Sequence, residues 1–103
     1  MFVKLIRVHT TPERRAGFLA RQRQWNAALG RCPGFVDAVV GSSTEDPGVI
    51  FVITTWEDRV ALDRFMAGRH DAVEAETDMR SWYDRIEVHH LEVAPDLERR
   101  PRE

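Results

Sequence analysis

The chain is 103 residues long, 43% hydrophobic and 31% charged, with a formal net charge of −2. That is the size and balance of one globular domain, and it excludes a disordered chain or a membrane-spanning bundle. Its 15 basic and 17 acidic residues are interspersed, which excludes the basic stripe that nucleic acid requires. The lone Cys32 rules out an intramolecular disulfide and a multi-cysteine metal site. The opening "MFVKLIRVH" lacks the apolar stretch and cleavage signal of a leader, so a cytoplasmic location with no membrane partner is expected.

Phe2 to His9, rich in β-branched and apolar residues, predicts a first strand. Thr10, Thr11 and Pro12 then supply a helix start, and the helix should run from Pro12 to Leu29 and stop at Gly30. "CPGF" turns the chain into a second strand at Phe35 to Val40. The polar run "GSSTEDPG" makes a hairpin to a third, "VIFVITTW", at Val49 to Trp56. Glu57 and Asp58 place negative charge at the start of a second helix through Val60, Leu62, Phe65 and Met66. It falters near Gly68 and resumes to about Thr77. A fourth strand spans Arg85 to Val93, with its apolar phase slipping at His89 and His90 as at a bulge or at a change of partner. Residues 95–103 read as a flexible charged tail after a single domain over residues 1–94.

The order β-α-β-β-α-β predicts an α+β, ferredoxin-like fold with two helices on one face of a four-stranded antiparallel sheet. The other face needs a partner. Val49, Phe51 and Ile53 alternate with Ile50 and Val52, and Phe2, Ile6 and Val8 alternate with Val3 and Leu5. A sheet with one wet face would alternate apolar with polar residues. A second copy of the chain packed on that face, a homodimer, resolves the conflict.

With this topology, the segment "TTWEDRVALDRFMAGRHDAV" resembles the dimeric α/β-barrel superfamily and, within it, the antibiotic-biosynthesis-monooxygenase-like group. "QRQW" at Gln22 to Trp25 and "FMAGRHD" at Phe65 to Asp71 are similar to an uncharacterised bacterial branch of it. The resemblance implies dimerisation into an α/β barrel and a hydrophobic small-molecule pocket. If the protein is catalytic, it implies cofactor-independent monooxygenation of an aromatic or quinol-like substrate. The alternative is a non-catalytic dimeric binding or stress-related module. Haem binding or degradation ranks last. The asparagine, tryptophan and histidine of haem-degrading relatives align with Ile6, Phe65 and Ala75, and Phe65 also stands where many monooxygenase-like members carry histidine.

Phe18, Gln22, Trp25 and Leu29 share one face of the first helix. Gln22 interrupts that stripe and must bond to backbone, water or a ligand, while Trp25 is core or a pocket wall. On the second helix Leu62, Phe65 and Met66 form the core side. His70, at its edge beyond Gly68, is the one candidate base, with a surface or structural role as the competing reading. Lys4 interrupts the Phe2, Ile6, Val8 face, and the sequence does not say whether that face meets the helices. If it does, Lys4 would meet an anionic or phenolate ligand. Trp56 seals the core or walls the pocket. The candidate set is thus His70 as the catalytic residue, with Lys4, Gln22, Trp25, Trp56, Phe65 and Met66 as the ligand pocket. His89 and His90 point to opposite faces and form no metal site between them, so no metal and no cofactor is assigned.

Overall fold

The computed structural model describes residues 1–99. Four strands, β1 (Phe2–His9), β2 (Phe35–Ser42), β3 (Val49–Trp56) and β4 (Arg85–Glu92), form one antiparallel sheet in the order β2-β3-β1-β4. Helices α1 (Pro12–Leu29), α2 (Arg59–Gly68) and α3 (His70–Thr77) pack on one face of it, followed by a 3-10 turn at Met79–Trp82. This is the ferredoxin-like layout. Among the described residues no helix is long and apolar enough to cross a membrane.

β1 lies between β3 and β4, in continuous register with both: Lys4 sits opposite Thr54 on one side and His90 on the other. Side chains alternate across a strand, and directly opposed residues share a face. Phe2, Lys4, Ile6 and Val8 therefore join Trp56, Thr54, Val52 and Ile50 under the helices. Phe2, Val8, Ile50, Val52 and Trp56 are all buried there. The opposite face carries Val3, Leu5, Phe51 and Ile53, with Val39 and Leu91 exposed on its outer strands.

α1 buries Phe18, Gln22, Trp25 and Leu29 and nothing else. α2 starts on the Asp58 carboxylate, which accepts from the Ala61 backbone N–H at 2.9 Å, a cap that satisfies one orphan donor. The chain then changes axis at Arg69, whose φ of −118° leaves the helical range while its N–H still donates to Phe65 O at 2.9 Å.

Two expectations are corrected. β4 pairs with β1 without interruption, so the phase slip at His89 and His90 is not a bulge. The strand sits at an edge, where burial enforces less alternation. The irregularity lies instead in β2, between Phe35 and Asp37. Met66 is not core: it is 38% exposed on the outer side of α2. Of the tail, Pro95–Leu97 forms a short 3-10 turn, and residues 100–103 lie outside the described residues.

Two glycines have opposite meanings. A Cβ on Gly17, in the middle of α1, would come within 2.2 Å of the Trp82 ring, so the glycine admits the indole against the helix. A Cβ on Gly68 would meet open space. Gly17→Ala is expected to destabilise the fold by roughly 1–3 kcal/mol through overpacking. Gly68→Ala should be neutral or stabilising by up to about 1 kcal/mol, the helix-propensity difference. Urea denaturation of both variants checks this, and a loss of stability in Gly68→Ala would show that the axis change at Arg69 depends on the glycine.

Candidate functional site

Between the sheet and the helices the core does not close. A cavity of about 490 Å³ lies over β1 and β3 and is walled mainly by apolar side chains. Lys4, Gln22, Trp25, Trp56, Phe65 and His70 all line it; Met66 does not. Met66 instead meets Lys4 from outside, with its Sδ 3.4 Å from Nζ.

The aromatic walls are held by polar bonds at their edges. Trp25 Nε1 donates to Thr77 Oγ1 at 3.1 Å, and that hydroxyl donates to Val73 O at 2.8 Å, tying α1 to α3. Trp56, 1% exposed, donates from Nε1 to Thr54 Oγ1 at 3.1 Å. Phe65 bridges the two indoles, with ring centroids 6.1 Å from Trp25 and 5.6 Å from Trp56. Both indole N–H groups are satisfied, so the rings offer the cavity apolar surface.

Four of the lining groups keep hydrogen-bonding capacity for something not belonging to the chain. Gln22 is buried; its amide N–H donates to Asn26 Oδ1 at 3.0 Å, and its carbonyl oxygen has no partner among the described residues. Thr54 is 6% exposed and accepts from Trp56, while its own hydroxyl proton goes to no described group. Lys4 meets no carboxylate among the described residues. Burial holds its ammonium pKa below the ordinary 10.5. His70 opens α3, its ring centroid 5.3 Å from Trp25 and 6.0 Å from Phe65, and its Nδ1 lies 3.1 Å from Asp71 Oδ1. A carboxylate only accepts, so in the neutral ring this contact puts the proton on Nδ1 and leaves the lone pair on Nε2.

Sequence reasoning passed over Thr54, Glu74, Arg80 and Tyr83, which complete the polar lining of the cavity. Thr54 had a local signal, a hydroxyl on the same strand face as Val52 and Trp56 where the run is otherwise apolar. Tyr83 had none, because the 3-10 turn that delivers it carries no periodicity. Its phenol pKa is raised by burial and by the Glu74 carboxylate, against the opposing charge of Arg80. The other histidines stand apart. His9 Nε2 bonds Glu87 Oε1 at 2.8 Å on the outer sheet face, and His90 stacks on Phe2 at 5.8 Å. Among the described residues no group of three His, Cys, Asp or Glu side chains is placed to hold a metal ion.

An ammonium partly withdrawn from water with no counter-ion costs stability. Below its folded-state pKa, Lys4 is charged in the folded and the unfolded chain, and the full penalty is present. As pH rises from that pKa toward 10.5, the unfolded chain binds more protons than the folded one, and the penalty is relieved. Lys4→Met should therefore melt a few degrees above the wild type at pH 7, and the gap should close as pH approaches 10.5. Calorimetric melting across that range checks it; a variant less stable at pH 7 would show that the ammonium is stabilising.

Comparison with known proteins agrees with this architecture. The profile of a domain of unknown function (DUF4937) matches residues 2–91. The uncharacterized protein YdbC of Bacillus subtilis (strain 168) is 34% identical over 73 residues, 69% of this chain. The match spans 60% of that relative's length. Among solved structures, SnoaB from Streptomyces nogalater, described as a cofactor-independent oxygenase, superposes with a TM-score of 0.79 at 21% identity. It covers 95% of this chain and 97% of its own. Rv0793 from Mycobacterium tuberculosis gives 0.76 at 16%, covering 94% and 98%. These identities establish shared fold alone. The chain belongs to the DUF4937 family, a domain of unknown function, and shares its ferredoxin-like fold with solved structures described as antibiotic biosynthesis monooxygenases.

Proposed function

We propose that the chain is a cytoplasmic homodimer that takes a small, electron-rich aromatic molecule into the cavity and oxygenates it without a cofactor. The observation that carries this reading is the unfilled cavity of about 490 Å³, walled by Trp25, Trp56 and Phe65, with His70, Gln22 and Lys4 on its surface. A largely apolar space with a few converging polar groups is the usual form of a small-molecule site. The fold is shared with SnoaB, described as a cofactor-independent oxygenase.

Without a cofactor the electrons come from the substrate. For a phenol such as 1-naphthol, Nε2 of His70 takes the hydroxyl proton, and the phenolate transfers electrons to O₂. The ring C–H opposite the oxygen becomes C=O, and the second oxygen atom leaves as water. The products are the para-quinone and H₂O, a four-electron change on each side. The Lys4 ammonium and an amide N–H of Gln22 stabilise the developing oxyanion. A non-catalytic binding module is the second reading. It is favoured by the full exposure of the Asp71 side chain, a loose partner for a catalytic imidazole. Oxygen-electrode and product assays with 1-naphthol separate the two. The enzyme reading expects turnover above autoxidation, reduced about 100-fold or more in His70→Ala. Binding without oxygen consumption supports the module.

Dimerisation is proposed through the outer sheet face, where Leu5 and Ile53 lie side by side and Val39 and Leu91 are 58% and 49% exposed. Light scattering at micromolar concentration should give twice the chain mass, and Ile53→Glu should give the monomer. A monomeric wild type would remove this part of the proposal.

A further inference from the structure

We infer that the cavity contains an anion subsite formed by Lys4 and Thr54, and that the molecule it takes is an aromatic carboxylate, its acid group lying between that ammonium and that hydroxyl. This rests on the cavity being a ligand site, the reading proposed above, and adds the chemical class of the ligand.

Lys4 and Thr54 are directly opposite one another across the β1–β3 pairing and both line the cavity. Each has an unspent donor. The Lys4 ammonium has only the thioether sulfur of Met66 beside it, at 3.4 Å, and a thioether neutralises no charge. Thr54, more than nine-tenths buried, has its oxygen occupied by the Trp56 N–H, a contact that leaves its own proton free to be given away. A buried hydroxyl with an unused donor and, opposite it on the neighbouring strand, a partly buried cation with no counter-ion are each costly without a partner. A carboxylate satisfies both, accepting from the ammonium with one oxygen and from the hydroxyl with the other.

The neighbouring charges leave this corner to the ligand. His90, the other cross-strand neighbour of Lys4, is exposed and stacked on Phe2. Arg80 donates to the Tyr83 carbonyl oxygen at 2.9 Å. Glu74 is on α3, whose N-terminal residue His70 also lines the cavity, and makes no ion pair with Lys4 among the described residues. The apolar walls of Trp25, Phe65 and Trp56 then receive the aromatic body, and the Gln22 carbonyl oxygen is available to a hydroxyl on it.

Calorimetric titration of the full chain with 2-naphthoate and with the neutral 2-naphthamide tests the subsite. The wild type should bind the naphthoate on the order of tenfold or more tightly than the amide, the usual gain from a charge-assisted pair. Lys4→Met should bring the naphthoate down to the amide's affinity, Lys4→Arg should restore most of the preference, and Thr54→Val should lower it several-fold. Circular dichroism confirms that each variant is folded. Equal affinity for the two probes in the wild type, or a preference unchanged in Lys4→Met, overturns the subsite and leaves the cavity reading standing. Binding of neither probe overturns both.

Discussion

The pairing of β1 on both of its edges is the constraint from which the site follows. A strand hydrogen-bonded to β3 on one side and β4 on the other cannot slip by a residue without reversing every side chain it carries. Phe2, Ile6 and Val8 need the helix-covered face, and their burial holds the strand in phase. Lys4 stands between them at the same period and is carried under the helices with them. Its position is a consequence of the apolar residues around it, and its desolvation is offset elsewhere in the fold. That arrangement is common where a residue is retained for chemistry rather than stability.

The same economy explains why the layer above Lys4 stays open. α1 commits only four residues to the interior, and one of them, Gln22, is an amide. The helix cannot sink further, because Trp25 is tied through Thr77 to α3 and Trp82 lies across Gly17. The second helical segment, broken at Arg69, brings Phe65 from its first half to the cavity wall. The walls are therefore fixed by bonds between helices, while the floor is fixed by the sheet. Space left between two independently fixed surfaces cannot collapse, and its apolar lining forgoes contacts that a ligand would supply.

Local, periodic features were legible in the sequence. β1, α1 and β3 run over the same residues that apolar patterning and the Thr-Pro and Gly boundaries define, because in each the signal and its cause lie within the segment. Gln22 stood out for the same reason, as a polar break in a helical stripe. The misplaced features depend on neighbours. His89 and His90 resemble a bulge only if β4 is assumed to be buried on one face, whereas an edge strand is free of that demand. Met66 lies on the apolar arc of α2 but at its rim, partly exposed with its Sδ against the Lys4 ammonium, while α2 packs closely on the turn at Gly34. There φ is +80° and a Cβ would come within 2.4 Å of the Ala61 Cβ. Thr54, Glu74, Arg80 and Tyr83 meet only through the sheet register and a 3-10 turn, neither of which is written in any single stretch of chain.

What separates a binding site from a catalytic one here is how firmly His70 is held. Its contact with Asp71 fixes the tautomer but not the ring, because that carboxylate is in water and free to turn. The ring is positioned instead by packing, against Trp25 on α1 and Phe65 on α2. Phe65 presents an aromatic face to the imidazole at this wall of the cavity. An apolar contact orients a neighbouring ring without competing for its proton. It also keeps that region dry, which strengthens any charge interaction formed there. Under the proposed reading His70 is the lining imidazole available for acid–base chemistry, with the partly buried Lys4 ammonium, Glu74 and Tyr83 as the other titratable groups of the wall.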